Sequence, residues 1–473
     1  MASRAYREAM NQQLTCDADL LLRYDRPGPR YTSYPAAPNF GPHFSEAMLR
    51  EYIRRSNEEP IPRPLSLYLH IPYCTSPCFY CGCNRIITRD RAQASRYVER
   101  LVREIGLAGP LFDPDRDVMQ IHFGGGTPNF LRGNELAAII DSLRRHFYFS
   151  KAVDRDFSIE LDPRSVTPDD VATYAELGFN RVSLGVQDFD PVVQRAVNRV
   201  QSVEQTFDVI DACRRHGLRS VNVDLIYGLP HQSIEGFTRT LDTVTAHRPD
   251  RIAIYGYAHM PQLFKAQRRI DAAHLPNAQQ RIALLSVAIE KLTAAGYIYI
   301  GMDHFALPED DLARAYANGS LQRNFMGYTT HGECDLLGLG VSAISHIGDS
   351  FSQNARDLPA WEAAVDQGHL PVWRGRHLDQ DDQVRGDVIQ QIMCRRSIDI
   401  AGIERRHDID FDRYFADALA RLQPLADDGL VLLERMRVSV SSRGRLLLRI
   451  IAMCFDRYSN GPIGATAHYS RAL

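Results

Sequence analysis

From Pro64 onward the chain alternates short apolar runs with longer amphipathic stretches, and this alternation limits the fold more than any other feature. Leu65–Ile71 reads as a strand and Ala92–Ile105 as a helix. Val118–Phe123 is followed by a helix near Asn134–Phe147, and Phe157–Leu161 by a helix after Thr167. Arg181–Val186 precedes a helix over Val203–His216, with Gly217 as its stop. Val221–Ile226 precedes Ile234–His247, and Arg251–Tyr257 precedes Asn277–Ala295 and a short apolar stretch, Tyr297–Gly301. Six consecutive strand–helix units predict an α/β fold with a parallel sheet and right-handed crossovers, a partial (β/α)6 TIM-like barrel. Chemistry in such barrels sits at the C-terminal ends of the strands. Glu160, Gln187, Asp224, a glycine run and a cysteine-rich loop all fall there.

Residues 1–60 are irregular and proline-punctuated, with a helical pattern near Phe44–Arg55, and read as an arm that must lie on something else. Residues 61–355 hold the barrel, and 356–473 read as a mainly α-helical C-terminal domain. There, helices near Val384–Cys394 and Asp412–Leu425 precede a two-stranded wing (429–433 and Arg437–Ser441) and an amphipathic helix from near Ser442. The pattern is winged-helix-like. Its segment Asp408–Asp427 is acid-rich and the net charge of the chain is −3, so it reads as a packing or lid domain, with no nucleic acid as partner. No run of 18 apolar residues and no signal-peptide h-region is found, so the expectation is a cytoplasmic protein, off the membrane and monomeric. Lysines number three, at 151, 265 and 291, and all other basic residues are arginines, which suit fixed carboxylate contacts.

Four of the nine cysteines, Cys74, Cys78, Cys81 and Cys83, fall within ten residues. The odd total argues against a disulfide framework. Cys213, Cys394 and Cys454 lie in apolar helical contexts and are expected in the core. Gaps of three and then two residues let three thiolates converge on one side of a compact loop. Thiolates select zinc, copper(I) or iron–sulfur clusters. Structural zinc takes four ligands, normally in two spaced pairs, and no second pair follows. A [4Fe–4S] cluster with one iron free of thiolate fits better. By spacing alone Cys83 could be a fourth ligand.

The CxxxCxxC loop after a first strand, with an aromatic just before Cys81, resembles the radical S-adenosylmethionine (SAM) superfamily. The fuller pattern resembles the oxygen-independent coproporphyrinogen III oxidase family. It is carried by PGPRYTSYP (27–35), YLHIPYCTSPCFYCGCN (68–84), FGGGTPNFL (123–131), IELDPR (159–164), SLGVQDF (183–189) and VNRVQ (197–201), with NVDLIYGLP (222–230), GMDHFA (301–306), GYTTHGECDLLGLGVSAIS (327–345) and MCFD (453–456). These motifs cover nearly the whole chain in order.

The resemblance implies that Cys74, Cys78 and Cys81 hold a [4Fe–4S] cluster whose fourth iron is chelated by SAM, with Cys83 not a ligand. It implies Tyr68, Gly125, Glu160 and Ile344 around this first SAM. A second SAM is implied beside Tyr80, Gly126, Thr127, Gln187, Arg199, Asp224 and Ala258. Position 80 is often Phe in that pattern; Tyr80 adds a hydroxyl. The implied activity is oxidative decarboxylation of two propionates of coproporphyrinogen III to vinyl groups, giving protoporphyrinogen IX, through a SAM-derived 5′-deoxyadenosyl radical. An electron donor and an acceptor complete the partners. Arg30, Tyr31 and Tyr34 are candidate substrate contacts, or anchors of the arm by aromatic packing. The competing readings are a tetrapyrrole-modifying radical SAM relative, a heme-binding chaperone and a plain iron–sulfur electron carrier. Heme-chaperone-like relatives tend to lack Cys83, and an electron carrier needs neither the glycine run nor a barrel.

Overall fold

The computed structural model describes residues 14–459 and 469–471; the first thirteen residues of the expected arm, and 460–468 and 472–473 of the C-terminal part, lie outside the described residues. Six strands, β1 (Leu65–Ile71), β2 (Asp117–Gly125), β3 (Asp156–Leu161), β4 (Arg181–Gln187), β5 (Ser220–Tyr227) and β6 (Arg251–Gly256), pair in chain order, each parallel to the next. The helices between and after them are Arg91–Ala108, Gly133–His146, Pro168–Leu177, Val203–Arg215, Ile234–Ala246 and Ala278–Ala294. The six expected strand–helix units are therefore present. Because every strand is parallel, all their C-terminal ends meet on one rim. Residues of β1 are buried on both faces except for half-buried Tyr68, as a strand covered by helices on one side and barrel interior on the other must be.

The barrel is open. Past β6 the sheet continues into β8 (His304–Ala306) and then β7 (Ile298–Gly301), both antiparallel. On the other side of β1 lies β9 (Asp335–Leu339), parallel to it, followed by an antiparallel meander of β10 (Ile344–Ile347), β11 (Ser350–Asn354) and β12 (Val372–His377). A buried ion pair, Arg116 to Asp335 at 2.7 Å, holds the start of β9 against the base of β1 and β2. β12 belongs to this sheet, so the expected boundary at residue 355 falls inside it.

The C-terminal part departs from expectation in three ways. Its wing has three strands, because Ser397–Asp399 pairs with Arg437–Val440, which pairs in turn with Val431–Glu434. The expected helix Asp412–Leu425 is broken at Phe415 into Phe411–Tyr414 and Ala416–Asp427, since Phe415 turns inward to pack on Phe411 and Phe455. The last helix, Leu448–Met453, is not amphipathic. Leu448, Arg449, Ile450, Ile451 and Ala452 are all buried, as an apolar run with one charge demands.

The arm lies on this C-terminal part. Leu20, Leu21, Tyr31 and Tyr34 share one hydrophobic core with Val384, Ile389, Phe411 and Phe455. Gly41 pairs with Gly375 of β12, and Pro27 with Arg471. Arm and C-terminal part together stand at the open side of the rim, beside the ends of β5 and β6. Cys213, Cys394 and Cys454 are buried, as expected. Among the described residues no helix is long and apolar enough to cross a membrane.

Candidate active site

The cysteine loop leaves the end of β1 and is tied down along its length. Ile86 N–H donates to Pro72 O at 2.7 Å and Thr88 N–H to Cys74 O at 3.0 Å, closing the loop at its root. Phe79 N–H donates to Val197 O at 2.9 Å, and Asn198 Nδ2 to Pro77 O at 2.7 Å. Arg85 donates to Cys81 O at 3.0 Å and Cys78 O at 3.2 Å. The segment after β4 thus presses the loop onto the rim.

Cys74 and Cys78 are buried, Cys81 is half-buried and Cys83 is exposed. Each of the first three sulfurs has a polar neighbour. Cys74 Sγ lies 3.2 Å from Thr127 Oγ1. Cys78 Sγ accepts from Arg199 Nη1 at 3.4 Å and Arg164 Nη2 at 3.7 Å. Cys81 Sγ accepts the Cys83 amide at 3.4 Å. Hydrogen bonding from Cys83, working against burial and helped by Arg85, brings the Cys81 thiol down to about 6, whereas burial pushes Cys74 up to about 11. Donors aimed at sulfur stabilise thiolate and tune an attached cluster. Among the described residues no three His, Cys, Asp or Glu side chains are grouped to hold a single metal ion. Three thiols on one compact loop are a donor set that suits an iron–sulfur cluster.

The sulfurs form one wall of a cavity of about 280 Å³. Tyr80 and Cys83 share that wall; facing them are Gly125, Gly126 and Thr127 at the end of β2, Glu160 and Asp162 at β3, Gly185 and Gln187 at β4, Arg199, Asp224 of β5 and Tyr255 of β6. Gly126 is a cradle that a side chain would fill: a Cβ there would stand 2.7 Å from the Pro72 carbonyl. Gly125 has φ +117°, a conformation only glycine adopts without strain. Gln187, at φ +70°, ends β4 in the left-handed region. Such strain persists only where surroundings impose it, and it concentrates at functional sites.

The charges are arranged in three sets. Glu160 accepts from His122 Nε2 and from the Gly125 amide, both at 3.2 Å. Burial raises its carboxyl, but those partners outweigh burial and hold it below its ordinary value. Arg199 is buried, reaches Gly185 O, and pairs with Asp162 at 3.3 Å; Asp162 also pairs with Arg164 at 2.6 Å. Asp224 accepts from Ser183 Oγ at 2.9 Å and Asn222 Nδ2 at 2.8 Å, and burial pushes its carboxyl up to about 6.

The rim therefore brings together Cys74, Cys78, Cys81, Tyr80, Gly125, Gly126, Thr127, Glu160, Gln187, Arg199 and Asp224. Tyr68 lies beneath, stacked 5.9 Å from His122 with its hydroxyl 3.0 Å from His70 Nδ1. Ala258 lines the neighbouring cavity, tied to this one by Gln267, which donates to both Ala258 O and Tyr80 O. Ile344 is not on the wall; its strand is two removed from β1, and its side chain packs by Phe40 and Phe351. Tyr31 and Tyr34 also lie elsewhere. Tyr31 donates to Asp456 at 3.0 Å, Tyr34 accepts the Arg457 amide at 3.1 Å, and both line a separate cavity beside the helix Gln380–Arg395. This geometry is that of an anchored arm. Arg30 instead pairs with Asp303 and lies over the Tyr255 ring, 5.6 Å from its centre.

His122, Asp162, Arg164 and Asn198 were not singled out by sequence reasoning, although the last three lie inside the motifs IELDPR and VNRVQ. Tyr255 carried no signal beyond its place at the end of a strand.

Two family models match this chain: the Radical SAM superfamily over residues 68–244, and the HemN C-terminal domain over residues 378–447. The oxygen-independent coproporphyrinogen III oxidase of Pseudomonas aeruginosa is 49% identical over 446 residues, covering 93% of this chain and 96% of the relative. That of Escherichia coli is 46% identical, covering 94% and 96%. The solved structure of the E. coli coproporphyrinogen III oxidase HemN, described as a radical SAM enzyme, superposes with a TM-score of 0.89 at 45% identity, over 93% of this chain and 99% of that one. The open barrel, the cysteine loop at its rim and likeness along nearly the full length agree: this chain belongs to the oxygen-independent coproporphyrinogen III oxidase family of the radical SAM superfamily.

Proposed function

We propose that this protein converts two propionate side chains of coproporphyrinogen III to vinyl groups without oxygen, giving protoporphyrinogen IX in heme biosynthesis, in the cytoplasm. Each propionate gives up CO2, one hydrogen atom from its β-carbon and one further electron. An electron donor and an electron acceptor outside this chain complete the reaction. The single observation that carries the reading is the convergence of three sulfurs on a cavity walled by the ends of five parallel strands.

Superfamily membership implies a [4Fe–4S] cluster and SAM. Bound together, they supply one-electron cleavage of a sulfonium and the carbon radical that takes hydrogen from the propionate. Cys74, Cys78 and Cys81 would hold the cluster, and Cys83, exposed and giving its amide to Cys81, would not. The Gly125–Gly126 backbone leaves room for a ligand's amino-acid end. Glu160, held as a carboxylate, accepts from hydroxyl groups. Gln187, Arg199 and Asp224 stand together on the same wall as places for a second SAM, with Arg199 matched to a carboxylate and Asp224 to a cation.

The test is turnover by anaerobically reconstituted protein given SAM, a reductant and coproporphyrinogen III. Protoporphyrinogen should form with two CO2 released and 5′-deoxyadenosine produced. Absence of both products from protein with an intact cluster would overturn the reading.

Asp224 gives a second expectation. Its carboxyl titrates at about 6, above the ordinary 3.8, so it is neutral below that pH and ionised above it. Glu160 adds to the upward push and Arg199 opposes it. A cationic ligand therefore binds more tightly as pH rises from 5 to 7, by about tenfold, the worth of one charge-assisted hydrogen bond. Asp224→Asn should flatten that profile in equilibrium dialysis with SAM. An identical profile in the variant would remove Asp224 from this role.

A further inference from the structure

The three sulfurs on the cavity wall are not treated alike. Cys74 Sγ meets the Thr127 hydroxyl, and Cys81 Sγ meets the amide and thiol of Cys83, all neutral groups. Cys78 also has a neutral neighbour, the Tyr80 hydroxyl, but among the described residues it alone accepts from charged donors, Arg199 and Arg164. Arg85, the other guanidinium at the loop, gives its hydrogens to the carbonyls of Cys81 and Cys78.

Asp162 stands between the two donors to Cys78. Arg164 grips it as a fork, Nε to Oδ1 at 2.9 Å and Nη2 to Oδ2 at 2.6 Å, and Arg199 Nη1 reaches Oδ2 at 3.3 Å. The local sequence fixes this carboxylate. Asp162 caps the short turn Pro163–Ser165, accepting the Arg164 amide at 3.1 Å, and its own amide donates to Asn129 Oδ1 at 2.9 Å. Two guanidiniums and one carboxylate leave one net positive charge beside the Cys78 sulfur. Their side chains are 8–20% exposed, so water screens that charge less than it would at the surface. Arg199 faces the cavity as a place for a SAM carboxylate, whereas Arg164 and Asp162 have no role in the account so far.

We propose that Arg164 and Asp162 are positioning residues which, with Arg199, hold one net positive charge on the Cys78 sulfur and thereby set the reduction potential of the cluster. The inference rests on the cluster assigned above to Cys74, Cys78 and Cys81. Potentials of iron–sulfur clusters follow net charge and hydrogen bonds to sulfur. Reduction adds one electron, taken from the one-electron donor outside this chain, so a fixed positive charge favours the reduced form. Glu160 and Asp224 on the facing wall are left in place by the substitutions below, and a difference between variants reads the Arg164–Asp162–Arg199 set.

The test is a dithionite titration of anaerobically reconstituted full-length protein without SAM, followed by electron paramagnetic resonance. Arg164→Gln leaves the set neutral and should lower the midpoint potential. Asp162→Asn leaves two positive charges and should raise it. Each shift should be about tenfold in the reduction equilibrium, or about 59 mV for one electron. Arg164→Lys keeps the charge and should recover most of the loss. Asparagine caps a turn as aspartate does, and iron content and melting temperature check that both variants fold and load. A purely structural disturbance of the loop has no reason to reverse sign between the two. Shifts of one sign, or no shift, in variants with wild-type iron would overturn the inference and leave the cysteine assignment standing. Loss of SAM affinity in Arg164→Gln at an unmoved potential would make Arg164 a ligand contact and overturn it as well. A wild type that takes up no cluster would overturn the cysteine assignment and this inference together.

Discussion

Cys74→Ser, Cys78→Ser and Cys81→Ser should each yield protein without a stable iron–sulfur cluster and without turnover, while Cys83→Ser keeps most of its iron. The first three sulfurs share the cavity wall and each has a polar contact from a different part of the rim: Thr127 after β2, Arg199 after β4, and the Cys83 amide within the loop. Cys83 serves Cys81 through its side chain and its backbone N–H; serine retains the N–H and offers a hydroxyl donor in place of the thiol. Serine at the other positions offers a harder oxygen that iron–sulfur clusters hold poorly. Iron and sulfide analysis of anaerobically purified variants checks this. Equal iron loss in all four would mean that the ligand assignment is wrong.

Gly126→Ala should separate cluster from ligand. The added Cβ would meet the Pro72 carbonyl at 2.7 Å, backbone against backbone, at the root of the cysteine loop and beside Thr127. Relief requires the β2 end and the loop to move apart. Overpacking of this kind costs about 1–3 kcal/mol, which in a binding site is a loss of about 5–150-fold in SAM affinity. Iron should be retained, because no thiolate is touched. Gly41→Ala is the control: a Cβ there has nothing within 4 Å. Gly126→Ala with wild-type SAM affinity would mean that the glycine run serves only the turn.

The barrel was legible because each strand is a buried run flanked by helical periods, and parallel pairing leaves little choice of order. Leu65–Ile71 and Arg251–Gly256 stand within a residue of expectation for that reason. The meander β10–β12 was not legible. Its strands are short, and β12 follows a helix, so a boundary at 355 looked natural although hydrogen bonds to β11 carry the sheet past it. The last helix was misread because the pattern of Leu446–Met453 does not say what surrounds it. At the site, most residues that line the cavity fall inside the motifs, Asp162 and Arg164 among them, while Tyr255 does not; what the motifs do not show is that Asp162 and Arg164 act on Arg199 and Cys78, a relation set by the convergence of β3 and β4.

The most direct measurement is electron paramagnetic resonance of the reduced, oxygen-free wild-type protein, before and after adding SAM. With three protein thiolates and one open iron, the spectrum of a [4Fe–4S]⁺ centre should change when SAM is added, because the ligand docks on that iron. A centre indifferent to SAM, as four protein ligands would make it, or a preparation that holds zinc in place of iron, would contradict the account at its base.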